Sequence, residues 1–192
     1  MSWDDEAATW DDNLAVRAYA EAAFQALKLH LAVERAPLLG ARVLDFGCGT
    51  GLLTVAMAAE ADDVVGLDLS PAMIEVLRHK AVPNITFGAG RLDDYDLGRF
   101  DLITCASVFP YVPDYPGTVR ALAALLNPGG WLVQFDWEPE PAPAKPFGML
   151  RLDVRRALVD AGLLEVDVRT AFELTFRGRA MAPLLGVGRA PR

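Results

Sequence analysis

The sequence predicts an α/β fold: a doubly wound, mostly parallel seven-stranded sheet with helices on both faces and an antiparallel C-terminal hairpin. Three observations carry that prediction. Short apolar runs alternate with amphipathic stretches through residues 41–136. The apolar runs are near-continuous, as in parallel strands covered on both faces. In the last third, two β-rich segments follow each other closely, and a tight connection permits antiparallel pairing but no crossover.

The elements follow in order. Residues 13–35, "NLAVRAYAEAAFQALKLHLAVER", read as one amphipathic helix. Asn13 suits its N-cap, apolar residues recur at three- and four-residue steps, and Pro37 and Gly40 end it. "ARVLDF" is a strand, and Leu52 to Glu60 form the helix after it. "DVVGLDL" is the second strand, followed by Pro71 in a helix's first turn and "AMIEVLRHK". "NITFGA" and "RFDLITCAS" are the third and fourth strands. "GTVRALAALL" is a helix closed by "NPGG", and "GWLVQFD" is the fifth strand. A proline-rich loop, "EPEPAPAKP", then leads to a helix from Met149 to Ala161, stopped by Gly162. "LEVDVRTAFEL" and "MAPLLGVG" supply the final hairpin.

The length of 192 residues suits one domain. Within it, 1–36 form an N-terminal helical cap, 41–136 the ligand-binding core, and 137–192 a C-terminal helix and hairpin. No apolar stretch approaches the roughly 18 residues of a membrane span. The start, "MSWDDEAATWDD", is acidic and aromatic, unlike a signal peptide, so a cytoplasmic location is expected. The net charge of −8 argues against a nucleic-acid partner, because phosphate binding needs a basic face. Cys48 and Cys105 lie far apart, and His30 and His79 are the two histidines, so neither a zinc site nor a disulfide framework is expected.

The chemistry concentrates in residues 43–51, "VLDFGCGTG". A P-loop needs four residues between its glycines and then Lys–Ser/Thr; here Gly51 is followed by Leu52 and Leu53. The dinucleotide pattern G-x-G-x-x-G fails because the third glycine comes one position early. Glycines here still admit left-handed backbone and close approach of a ligand. The following helix start offers N–H groups suited to a carboxylate. Asp68 ends the second strand about 20 residues further on, the separation of a ribose-reading acid in one βαβ unit. Ser70 is better placed than Asp68 to cap the next helix.

On these residues the sequence resembles the class I S-adenosylmethionine-dependent methyltransferases, small-molecule type. "VLDFGCGTG" is similar to that family's first motif, "GLDLSPAMI" to its ribose segment, "FDLITCASVFPYVPD" to its fourth-strand motif, and "LLNPGGWLVQFD" to the turn into strand five. The resemblance implies a Rossmann-like fold, S-adenosylmethionine as cofactor and S-adenosylhomocysteine as product. It implies that Asp45 orients the glycine loop and reaches the methionyl amine. Gly47, Cys48 and Gly49 line the methionyl and ribose path, and Cys48 reads as a small filler. Leu69 and Met73 pack on the adenine, with ordinary helix core as the other reading of Met73. Ala106 lies near the methyl group. Arg91 stands where the family places an adenine-reading acid, and Leu92 follows with a backbone contact. Arginine has no acceptor to offer an amino group, so it stacks on the ring or Asp93 takes the role. "ATWDDN" resembles a cofactor-capping element, with Trp10 as lid aromatic and Arg17 as partner for the methionyl carboxylate. The other reading is a solvated helix with Trp10 as a staple.

Methyl transfer needs a general base only where the acceptor must lose a proton. His30 reads as a polar-face residue and His79 as a solvated helix-end charge. Ligands gather at the carboxyl ends of strands in open α/β sheets, which puts Tyr111 and Asp136 on the acceptor side. The inserts after strands four and five are short, so the expected partner is a small-molecule acceptor, with no membrane or nucleic acid. Two alternatives remain: a non-catalytic module holding S-adenosylmethionine or S-adenosylhomocysteine, and an NAD-dependent oxidoreductase.

Overall fold

The computed structural model describes residues 2–139 and 148–192. The proline-rich run read as a loop lies largely outside the described residues. From the N-terminus come α1 (Trp3–Glu6), a 3-10 segment (Ala7–Asp12), α2 (Leu14–Val33), β1 (Arg42–Phe46), α3 (Leu52–Ala58), β2 (Asp63–Asp68), α4 (Pro71–His79) and β3 (Ile85–Ala89). Then follow β4 (Phe100–Ala106), α5 (Tyr115–Ala124), β5 (Leu126–Asp136), α6 (Arg151–Asp160), β6 (Leu164–Thr170), β7 (Leu174–Phe176), β8 (Arg179–Met181) and β9 (Leu184–Arg189). Seven strands form one mixed sheet in the order β3-β2-β1-β4-β5-β9-β6, and β7 and β8 pair separately. The mostly parallel seven-stranded α/β fold is therefore as the sequence predicts. Among the described residues no helix is long and apolar enough to cross a membrane.

The chain divides into two compact units, Met1–Gly98 and Arg99–Arg192. In the first, β1, β2 and β3 run parallel, with Leu44 opposite Val65 and Val65 opposite Thr86. Leu27 on α2, Leu44 on β1, Met57 on α3 and Leu77 on α4 are all buried. Each such side chain contributes about 1.5–3 kcal/mol relative to exposure. Asn13 caps α2, its Oδ1 accepting from the Ala15 amide at 3.0 Å, and α2 stops at Val33. Trp3–Glu6 and Ala7–Asp12 are helical turns that the periodicity does not show, because each is too short to repeat a pattern.

In the second unit, β4 and β5 are parallel, while β9 runs antiparallel to both β5 and β6. β9 thus enters between β5 and β6, and the sheet edge is β6. The expected terminal hairpin is opened by the small β7–β8 pair between its arms. "NPGG" does not stand outside the strand as a closing turn. It lies within β5 as an irregularity: Phe100 pairs with Leu126 and Leu102 with Trp131, so extra residues are looped out. Gly129 is left-handed there (φ 80°), and a Cβ on Gly130 would meet the Asp101 carbonyl at 3.0 Å. Two adjacent glycines meet that demand.

Candidate functional site

In the first unit, β1 ends in a loop stitched to the end of β2. The Gly47 and Cys48 amides both donate to the Leu67 carbonyl, at 2.7 and 3.1 Å. Gly47, Gly49 and Gly51 all have positive φ, and Gly51 opens α3 at φ 83°. A Cβ on Gly51 would stand 2.3 Å from Leu77 Cδ1, so the position needs glycine for both backbone and space. Asp68 closes the arrangement from β2. Its Oδ2 accepts from the Gly49 amide at 2.8 Å and its Oδ1 from the Ser70 amide at 2.8 Å. Ser70 is the side-chain cap of α4, accepting from the Met73 amide at 3.1 Å.

Asp45 is buried on β1, and its Oδ2 accepts from Thr54 Oγ1 at 2.7 Å, tying β1 to α3. Cys48 packs over β2, where a Cβ on Gly66 would meet its Sγ at 3.1 Å. Burial, with Asp45 and Asp68 beside it, pushes the Cys48 thiol well up, so it is held neutral and is a poor nucleophile. Leu69, just past Asp68, is 71% exposed, an apolar side chain presented to solvent beside a carboxylate. Met73 is buried at 3%, so its side chain belongs to the core and offers little surface to a ring. Arg91 and Asp93 are exposed and Leu92 half-buried. The Arg91 amide donates to Asp94 Oδ2 at 2.6 Å.

The N-terminal segment lies against α4 and the glycine loop. Trp10 is half-buried and meets Trp3 edge to face at 5.7 Å. Arg17 is exposed in the first turn of α2. Asp11 Oδ1 accepts from Thr50 Oγ1 at 2.6 Å, and its Oδ2 pairs with Lys80 at 2.7 Å. Asp4 accepts from Ser70 Oγ. None of these pairings is visible as a motif, since the partners stand 39 or more residues apart. His30 is buried, which corrects its polar-face reading: it lies on the inner face of α2. His79 is exposed at the end of α4, its Nδ1 2.7 Å from the Glu75 carbonyl.

In the second unit, Ala106 is half-buried at the end of β4. The next residue, Ser107, is left-handed (φ 60°) although not glycine. Its amide donates to the Phe135 carbonyl at 2.7 Å, and its Oγ accepts from Trp137 Nε1 at 3.0 Å. Those two bonds hold a strained residue at the strand end. Tyr111 is exposed, and partial burial raises its phenol pKa, so it is a donor rather than a base near neutrality.

Asp136 is placed otherwise than expected. Its carboxyl is wholly buried instead of standing open at the strand end. Tyr115 donates to Gln134 Oε1 at 2.8 Å, and Gln134 Nε2 donates to Asp136 Oδ2 at 3.1 Å, while Oδ1 lacks a well-formed hydrogen bond. Burial pushes the acid well above the usual carboxylate range, against the pull of Gln134 and of the Phe109 and Val108 amides. An apolar run ending in Asp gives no sign of this, because strand position does not say how deeply a strand's last side chain is covered.

A family profile described as a methyltransferase domain matches residues 16–169. The chain belongs to this methyltransferase family. Among curated proteins it is 36% identical over 129 residues to a ubiquinone biosynthesis O-methyltransferase of Thiobacillus denitrificans, covering 64% of this chain and 55% of that protein. With the protein of the same name from Vibrio parahaemolyticus it shares 37% over 111 residues, covering 54% of this chain and 47% of that protein. The chain spans about half the length of the curated relatives it matches. Its fold is also that of solved methyltransferases. One is a complex between the Haloferax volcanii Trm112 methyltransferase activator and a methyltransferase (TM-score 0.77, 22% identity, 100% of this chain and 98% of that one). Another is magnesium protoporphyrin IX methyltransferase of Synechocystis with bound S-adenosylhomocysteine (TM-score 0.70, 22% identity, 93% and 88%).

Proposed function

We propose that this member of the methyltransferase family uses S-adenosylmethionine to methylate a small molecule, leaving S-adenosylhomocysteine, as one domain over residues 1–192. The observation that carries the reading is the Asp68 carboxylate held beside the glycine loop. Each of its oxygens accepts one backbone N–H, and each keeps a second lone pair. That leaves room for two hydroxyls, which is what a ribose presents. Lys80, a cation near the glycine loop, is paired with Asp11 rather than free to meet a phosphate. The residues therefore fit a nucleoside carrying no phosphate.

When bound, the cofactor supplies an activated methyl group on a sulfonium, and the protein's contribution is alignment and exclusion of water. Asp68 would fix the sugar, and the Gly47–Gly51 backbone would let the methionyl part approach closely. Exposed Leu69 would give the adenine an apolar wall. Arg91 and Leu92 are proposed at its other edge, Asp45 toward the methionyl amine, and Trp10 and Arg17 over the cofactor. Tyr111 is the proposed acceptor-side donor near Ala106. A cytoplasmic setting and a partner other than nucleic acid go with this reading, given the net charge of −8.

The second reading, a binding module without turnover, is favoured by one observation: His30 and Asp136 are both buried. Labelled-methyl transfer separates the two. Oxygen acceptors come first, because the relatives are named O-methyltransferases; amines, thiols and carboxylates follow. Incorporation into any of them supports the enzyme. Cofactor binding with no incorporation across the set supports the module.

A further inference from the structure

Two carboxylates of the N-terminal segment reach out of it to different parts of the same cradle. Asp11, at the start of the α2 approach, takes the Thr50 hydroxyl at 2.6 Å and the Lys80 ammonium at 2.7 Å. Thr50 is a buried member of the glycine loop itself. Asp4, in α1, accepts from Ser70 Oγ and from the Ala72 amide at 3.4 Å. Ser70 and Ala72 open α4 immediately after Asp68, so a negative charge sits at the positive end of that helix, where it is favoured. The Trp3–Trp10 contact joins the two anchor points within the segment.

We infer that Asp4 and Asp11 are positioning residues that latch segment 3–12 onto both the glycine loop and the ribose turn, so that a bound nucleoside leaves only when these pairs break. The inference rests on the proposed cofactor reading. Asp11 is the stronger anchor. Its side chain and that of Lys80 are 33% and 22% exposed, so the pair is screened less than a surface ion pair. The two contacts of Asp11 are also separable. Asp11→Asn keeps an acceptor for Thr50 and removes the charge facing Lys80, whereas Asp11→Ala removes both.

Stopped-flow Trp fluorescence of S-adenosylhomocysteine release tests the latch in wild type, Asp11→Asn, Asp11→Ala, Lys80→Ala and the Asp11→Ala/Lys80→Ala double variant. Asp11→Ala should speed release at least about tenfold, because it removes the Thr50 hydrogen bond and the Lys80 ion pair together. Association should stay within about threefold, because a latch acts on escape. Lys80→Ala should speed release less, and should add nothing on top of Asp11→Ala. Raising salt from about 0.05 to 0.5 M should speed release from wild type but not from Asp11→Ala.

Unchanged release in Asp11→Ala, a loss confined to association, or full additivity with Lys80→Ala overturns the inference. Hydrogen exchange without ligand guards against a merely unfolded variant. In Asp11→Ala the amides of residues 4–13 should exchange faster while β1 and β2 stay protected as in wild type; equal exchange in 4–13 also overturns it. If wild type does not bind S-adenosylhomocysteine, the cofactor reading falls, and exchange alone decides whether the latch exists.

Discussion

Asp68→Asn offers a sharp test of the sugar site, because the structure gives the aspartate two jobs that must be told apart. Its oxygens each receive one backbone N–H at 2.8 Å, from Gly49 and Ser70. Asparagine supplies a single oxygen, so whichever way its amide turns, an NH2 group faces one of those N–H donors. The apo protein should lose about 1–3 kcal/mol from that unpaired contact. Weaker cofactor binding alone would therefore not reveal a ribose contact. Removing a hydroxyl from the ligand isolates it. Wild type should bind 2′-deoxy-S-adenosylhomocysteine roughly 10- to 150-fold more weakly than the parent compound, the worth of one charge-assisted bond at 1.5–3 kcal/mol. In Asp68→Asn that discrimination should shrink below about threefold. Calorimetry of the four combinations reads it directly. Equal affinity of wild type for both ligands, with the parent bound, would refute the sugar role whatever the variant does.

Two further outcomes follow from the packing. Burial raises the folded pKa of Asp136, so its stabilisation is complete below about pH 4 and is lost as pH rises toward the raised value. The Tm of Asp136→Asn, which stays neutral, should therefore gain on wild type from pH 4 to 8; parallel curves would contradict the assignment. Gly51→Ala should lower stability in urea by at least about 1–2 kcal/mol, from the left-handed backbone alone. Its Cβ would also stand 2.3 Å from Leu77 Cδ1, so a change within about 0.5 kcal/mol would mean the loop is shaped differently.

Much of this molecule is legible in its sequence, for identifiable reasons. Asn13, Ser70 and Pro71 announce helix starts because capping is a local matter of one side chain and the next three amides. The inner strands β1, β2, β4 and β5 read as apolar runs because parallel strands bury both faces, whereas the edge strand β3 is largely exposed. Asp68 could be found because a βαβ unit fixes its distance from the glycine loop. What could not be read depends on long separations. Asp4 and Ser70 are 66 residues apart, and nothing in either segment points to the other. Asp136 looked like a strand-end ligand, yet depth of burial is decided by what packs over the strand. The insertion of β9 between β5 and β6 was equally hidden, since a short connection fixes antiparallel direction but not which neighbour a strand takes.

The central claim is that the glycine loop and Asp68 bind a nucleoside without a phosphate. Calorimetric titration of the purified chain with S-adenosylhomocysteine, and separately with NAD, tests it most directly. S-adenosylhomocysteine should bind with a Kd of about 1–100 μM, or −8 to −5.5 kcal/mol, and NAD should give no heat of binding. Binding of NAD with none of S-adenosylhomocysteine would contradict it.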